Sequence, residues 1–394
     1  MKPVNHYDII IIGGGMVGMA LACALAPQHR IALVDAAPLT KKDDLRLIAL
    51  NYNSYCLFKN LDVWENMAPH ATDIKALHVS HQGHFGVTRL RPSECGLPVL
   101  GYVVPAKHIE SALNTAISQH SNVTLYRPAV LNSFSIQTAA IKANITQNAE
   151  ENTLSATILI GADGTHSSVR RLAGIKTDTT DYQQSAIVTI TELQRPHAHT
   201  AYERFQGNGA IAMLPLKDNF AATIWTEDND KIKNLMCLNA QEFLQILQKE
   251  FGYRLGRFLA ISERHTYPLQ LQTAEQDFAD NVILIGNAAH TLHPVAAQGL
   301  NLALAEIAML TQIISDGCLT PQWKNYRAWQ QQQFTNSLHL SHHLLQLFAQ
   351  DFALLAWARQ TGMLTLNLCP PLKRRFALKA LGRDHVLPEL LLLA

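Results

Sequence analysis

The stretch YDIIIIGGGMVGMALACALAPQHRIALVD, from Tyr7 to Asp35, leaves the chain few ways to fold. Four successive isoleucines read as a strand buried on both faces, because no alternation marks a solvent side. They run into a glycine turn, then a helix of small apolar residues, then a second apolar strand, IALV. Two parallel strands joined by a helix make a right-handed unit that needs a parallel sheet around it. Gly13, Gly15 and Gly18 stand at G-x-G-x-x-G spacing. Gly13 permits the tight turn, Gly15 lets the backbone approach a pyrophosphate, and Gly18 lets helix and strand pack closely. The helix start then offers N–H groups and partial positive charge to the phosphates. Asp35 closes the second strand, where a carboxylate accepts hydrogen bonds from an adenosine ribose. A purely structural glycine turn leaves Asp35 unexplained. The unit predicts dinucleotide binding, and FAD and NAD(P) both fit it.

The rest of the chain says what surrounds that unit. Its 394 residues are 48% hydrophobic and 16% charged, enough for a globular protein of two modest domains. A net charge of +1 lacks the basic excess that nucleic-acid binding requires, so no nucleic-acid partner is expected. Six cysteines are scattered without a CxxC pair, and no secretory signal opens the sequence. The expected setting is a reducing cytoplasm, without disulfides or structural zinc. No apolar run reaches the roughly 18 residues of a membrane span. Alternating segments SAIVTI, TAYERF, AIAMLP and AATIWT predict an antiparallel sheet between Tyr182 and Thr226. Helical periodicity spans Leu300 to Ser315, with Gly317 as C-cap, and returns from Tyr326 to Leu366. The expected fold is α/β: a discontinuous Rossmann-like nucleotide domain (1–75, 100–180 and 270–325), an inserted antiparallel-sheet substrate domain (76–99 and 181–269), and a helical C-terminal region (326–394).

Two further motifs carry chemistry. In ATILIGADGTHSSVRRLAGI a buried strand ends in an Asp163-Gly164 turn, and Ser167 or Ser168 is placed to cap the next helix. In LIGNAAHTLHPVAAQGLNLAL, His290 and His293 stand three apart before Pro294, and a helix opens at Gln298-Gly299. A metal site would need both histidines on one helical face, which Pro294 disfavours, and no nearby cluster supplies the remaining ligands. No metal is expected. The alternative is a loop whose following helix aims its N–H groups at a ligand such as a reduced flavin.

Taken together, GGGMVG, DLRLIAL, GADGTHSSVR and LIGNAAHTLHPVAAQGLNLAL resemble the class A flavin monooxygenases with the p-hydroxybenzoate hydroxylase fold. DYQQSAIVTI, AYERFQGNGAIAMLPL and PPLKRRFALKALG resemble the ubiquinone-biosynthesis branch, in particular its octaprenyl methoxyphenol hydroxylases. The resemblance implies that Gly13, Gly15, Gly18 and Asp35 hold the ADP half of FAD, with Arg46 near the pyrophosphate. It also implies cofactor contacts at Val130, Asp163, Gly164 and Asn287, and at Pro294, Gln298, Gly299, Leu300 and Asn301 beside the isoalloxazine. Asn287 stands where the wider family has Asp, Ala297 replaces a glycine of the P-x-x-G-Q-G run, and Glu306 stands where Asp is usual.

The implied reaction is hydroxylation of a polyprenyl phenol with NAD(P)H and O2, through a C4a-hydroperoxyflavin. His293, with Pro294, is the catalytic candidate nearest the ring, and a conformational role for it is the alternative. Phe205, Met213, Leu214 and Trp225 are expected to wall the substrate pocket. An apolar substrate suggests peripheral contact with the inner face of the membrane. A helix bearing Lys373, Arg374, Arg375 and Lys379 beside Leu372, Phe376, Leu378 and Leu381 would make that contact; a basic helix packed on the body is the alternative. Association with other ubiquinone-biosynthesis proteins, or with a second copy, is a further expectation. Other readings are a related reductase or oxidase on another lipid or aromatic substrate, and a flavin-binding assembly protein without turnover.

Overall fold

The computed structural model describes residues 5–38, 46–138, 140–276, 278–279, 281–291, 298–315, 323–349 and 353–393. His293, Pro294, Ala297 and Gly317 lie outside the described residues.

The isoleucine run becomes one of the two central strands of a six-stranded sheet, ordered Phe278–Ala279, Val282–Leu284, Ile158–Gly161, Ile9–Ile12, Ile31–Val34 and Val123–Tyr126. All pairings are parallel except that of the first two strands. Strand alternation splits the isoleucines between two cores. Ile9 and Ile11 pack with the helices Met16–Leu25, Ala106–Gln119 and Gln298–Ser315. Ile10 and Ile12 pack on the opposite face with Leu131, Ile141, Ala143 and Leu154 of a small sheet built from Ala129–Ile136, Ile141–Gln147 and Glu150–Ala156. Burial on both faces is why the sequence shows a continuous apolar run.

A nine-stranded sheet forms the second body. Thr177–Leu193, Phe220–Asp228, Gly209–Pro215 and Thr200–Gln206 pair antiparallel in that order, as the alternating pattern predicts. Ala76–His81 and Val87–Leu90 extend it, with Ala76–His81 lying parallel to Thr200–Gln206. One face carries Ile187, Ile211, Met213 and Trp225 against the helices Asn229–Cys237 and Ala240–Phe251. The other face carries Ala201, Leu214, Phe205 and Ala210, which pack toward Leu381 and Met363.

This corrects the expected pocket wall. Met213 and Leu214 are neighbours on one strand, so their side chains take opposite faces. Met213 and Trp225 are 1% and 0% exposed within the helix-covered core. Phe205 and Leu214 stand on the other face.

The C-terminal helices run Trp323–Ala349, Ala353–Leu368 and Pro370–Ala380. The last is held by Lys373, whose ammonium donates to Glu94 Oε1 at 2.6 Å. Burial opposes ionisation of Glu94, but the hydrogen bonds from Lys373 and the Arg91 N–H keep its carboxyl below the ordinary value. Lys373 is therefore buried packing, not part of an exposed basic face; Arg374, Arg375 and Lys379 remain exposed. Among the described residues, no helix is long and apolar enough to cross a membrane.

Candidate active site

Three loops leave the carboxyl ends of adjacent parallel strands. Ile12, Gly161 and Leu284 lie side by side in register, so the GGG, ADG and IGNAA segments emerge together. Ligands of open α/β sheets bind at that edge. Gly13 has φ +108°, and a Cβ there would overlap the Ala162 carbonyl; one at Gly18 would overlap the Gly13 carbonyl. These two glycines bring the segments into contact. Gly15 differs: no protein atom lies within 4 Å of where its Cβ would stand. It also caps Met16–Leu25 without any side-chain hydrogen bond, so no capping side chain satisfies the first-turn N–H groups. An open cradle over an uncapped helix start fits a pyrophosphate.

Asp35 is fixed by a residue the sequence reading missed. Arg127 Nη2 lies 2.7 Å from Asp35 Oδ2 and donates to the Gly14 carbonyl at 2.8 Å, while Nη1 donates to Asn114 Oδ1 at 3.1 Å. Arg127 sits just past the strand that pairs alongside Ile31–Val34, which brings it to Asp35 from far along the chain. Gly14 has no place in the G-x-G-x-x-G pattern, yet a Cβ on it would strike both Arg127 and Asp35. The signal available was the middle glycine of the run Gly13-Gly14-Gly15. Val130 lies close by, 51% exposed, next to Ala129, whose N–H donates to the Asp35 carbonyl at 2.8 Å.

Asp163 closes its own turn. Its Oδ2 accepts from Ser168 N at 2.6 Å and Ser168 Oγ at 2.7 Å, while Ser167 Oγ caps the following helix through Arg170 N. Gly164 follows with φ +81°. Arg170, a second missed residue, donates to the Ala288 and Thr165 carbonyls at 2.7 Å each, tying the ADG loop to the IGNAA loop. Burial lowers the Arg170 pKa, opposed by the nearby Asp163.

The third segment is organised by Glu306, which is fully buried. It accepts from Gly286 N at 3.0 Å and Gln330 Nε2 at 2.9 Å, and lies 2.6 Å from His290 Nε2. His290 thus pairs with a carboxylate on the helix behind it. Among the described residues, no group of three or more His, Cys, Asp or Glu side chains is arranged to hold a metal. Asn287 is exposed beside this hub, and Arg46 is exposed at the start of Leu47–Asn51.

The helix begins at Gln298, as read from the sequence, so Gln298, Gly299, Leu300 and Asn301 form its first turn. Their N–H groups are the ones a helix leaves without internal partners. The Asn301 side chain is turned back to the protein: Oδ1 accepts from Asn51 N and Ser54 Oγ, and Nδ2 donates to the Ala49 carbonyl. What Asn301 can offer a ligand is its backbone. A cavity of about 290 Å³ opens here, lined by Asn51, Gln298, Asn301, Trp329, Phe376 and Leu381.

Comparison with known proteins agrees with this geometry. The family model described as FAD binding domain matches residues 6–316. The chain is 30% identical to ubiquinone hydroxylase UbiL of Rhodospirillum rubrum, over 97% of this chain and 91% of that protein. It is 28% identical to 3-demethoxyubiquinol 3-hydroxylase of Escherichia coli, over 95% and 98% respectively. Among solved structures, p-nitrophenol 4-monooxygenase PnpA of Pseudomonas putida superposes with a TM-score of 0.79 at 14% identity, covering 97% of this chain and all of that one.

Proposed function

This chain belongs to the FAD binding domain family and is an FAD-dependent monooxygenase; on that premise we propose that it hydroxylates the ring of a polyprenyl phenol leading to ubiquinone. FAD, when bound, supplies what side chains lack: it takes reducing equivalents from NAD(P)H and converts O2 into an electrophilic oxygen donor. Gly13, Gly15 and Gly18, with Asp35 held by Arg127, would grip the ADP half. Asp163, Gly164, Asn287 and the first turn at Gln298–Asn301 would hold the flavin half. The protein's own tasks are to orient the phenol and keep water from the reacting oxygen.

The observation that carries the substrate class is the surface beside this site. A cavity of about 630 Å³ has Leu47, Pro105, Ile190, Leu216, Phe220 and Ile261 as its apolar wall, with His70, Glu192, Lys217 and Asp218 also lining it. A long isoprenoid chain needs such an apolar wall. Leu364, Leu368, Leu372 and Phe376, all exposed, recur every four residues along the last two C-terminal helices. With Arg375 and Lys379 nearby, they support collection of the substrate at an anionic membrane surface.

The test is oxygen incorporation. The FAD-loaded enzyme is given NAD(P)H, isotopically labelled O2 and a 2-methoxyphenol bearing a short isoprenoid chain. Labelled dihydroxy product supports the assignment. NAD(P)H consumption that ignores the phenol and yields only peroxide, across phenols of several chain lengths, sinks it.

A further inference from the structure

Across the large sheet, on the face turned away from the Asn229–Phe251 helices, five residues on five strands stand in one row. Val188 pairs with Ile224, Ile224 with Ala212, Ala212 with Glu203, and Glu203 with Val79. All five are half-buried, whereas their neighbours along the strands Ile187, Trp225 and Ile211 are fully packed on the opposite face. The row is an apolar strip of the sheet containing one carboxyl group.

Glu203 breaks the pattern of its surroundings. A strand residue between Ala201 and Phe205, facing Ala212 and Val79, would ordinarily be apolar. Its carboxyl has no hydrogen-bond or ion-pair partner among the described residues. Ala201 packs in the cluster containing Leu47 and Leu381, and Leu381 also lines the cavity at Gln298. Glu203 therefore stands on the side of the sheet that faces the proposed flavin site. An unpaired carboxylate on an apolar strip is costly unless a ligand partners it.

Resting on the proposed phenol hydroxylation, we infer that Glu203 is the catalytic base that takes the phenol's hydroxyl proton during oxygen transfer. The O–H bond breaks and the proton passes to a carboxylate oxygen. The electron pair it leaves enters the ring and forms the new bond from the ring carbon to the oxygen derived from O2. NAD(P)H is the reductant, the second oxygen atom leaves as water, and the displaced ring proton is lost as the ring regains aromaticity. Burial pushes the Glu203 carboxyl up to about 7, which suits a group that must accept and release a proton near neutrality.

Glu203→Gln preserves shape and removes the base, and a desolvated charge is lost rather than created, so the fold should hold. Two substrates separate chemistry from structure: a short-chain 2-methoxyphenol, protonated at neutral pH, and a ring-fluorinated analogue already ionised there. On the protonated phenol, Glu203→Gln should lower kcat about 100-fold with KM within about threefold. On the ionised phenol the loss should be under about fivefold, and Glu203→Asp should fall between on the first substrate. Equal losses on both phenols, or none on either, overturn the inference. Wild-type enzyme that hydroxylates neither phenol overturns the proposed function instead.

Discussion

Gly15 and Gly18 sit three residues apart and answer to different constraints. A side chain at Gly18 meets backbone, so Gly18→Val is a folding defect; a side chain at Gly15 meets nothing in the protein. Gly15→Val should therefore keep the wild-type melting temperature without cofactor and bind FAD at least about 100-fold more weakly. Full affinity in that variant, read by flavin fluorescence quenching, would place the cofactor elsewhere. Arg127 makes a second case. Its side chain is 8% exposed and that of Asp35 14%. Arg127→Ala strands a buried carboxylate and should cost about 3 kcal/mol in denaturant unfolding. Removing both charges with Asp35→Asn in the same chain should cost less than the single change. Glu203 predicts a pH signature without any substrate. An acid raised from 4.5 to about 7 is protonated in both states at low pH and contributes nothing there. As pH rises through that window the folded state must carry a desolvated charge, and stability falls. Glu203→Gln should match wild type in melting temperature near the bottom of the window and exceed it by about 2 °C above its top.

At the scale of elements, what the sequence made legible followed local rules. The glycine unit, the Ser167 cap and the helix start at Gln298 all follow from nearest neighbours and spacing. Arg127 and Arg170 were not legible, because each reaches its partners through pairings between strands distant in sequence. The pocket wall was half legible: the strands were found, but Met213 and Leu214 were given one face when a strand divides them. Lys373 shows the same limit, since only the position of Glu94 turns a basic residue into buried packing. For the C-terminal helices, Leu368→Ser with Leu372→Ser, or Arg374, Arg375 and Lys379 to Gln, should each weaken sedimentation with anionic vesicles. Wild-type binding should also decline with salt. Unchanged binding in both variants would remove these helices from the membrane.

At the scale of the whole molecule, fold class was the most legible property. A strand buried on both faces admits few sheets, and one alternating block admits a second. The departures from the wider family pattern were legible only as letters. Glu306 in place of Asp becomes intelligible once its carboxylate is seen joining Gly286, His290 and Gln330 across three elements.

The side-by-side strand ends Ile12, Gly161 and Leu284 also set a timetable. A ribosome delivers the first of them almost at once and the last only after some three-quarters of the chain has emerged. Parallel neighbours so remote in sequence form late, because loop closure precedes any gain from pairing. Until Leu284 arrives, the central strand Ile158–Gly161 has an open edge of the kind that recruits other chains. Such a nascent chain carries that edge for most of its synthesis, and flavin can act only at the end of it. Flavin shortage should then show itself as aggregated newly made protein before it shows as lost turnover in the mature pool.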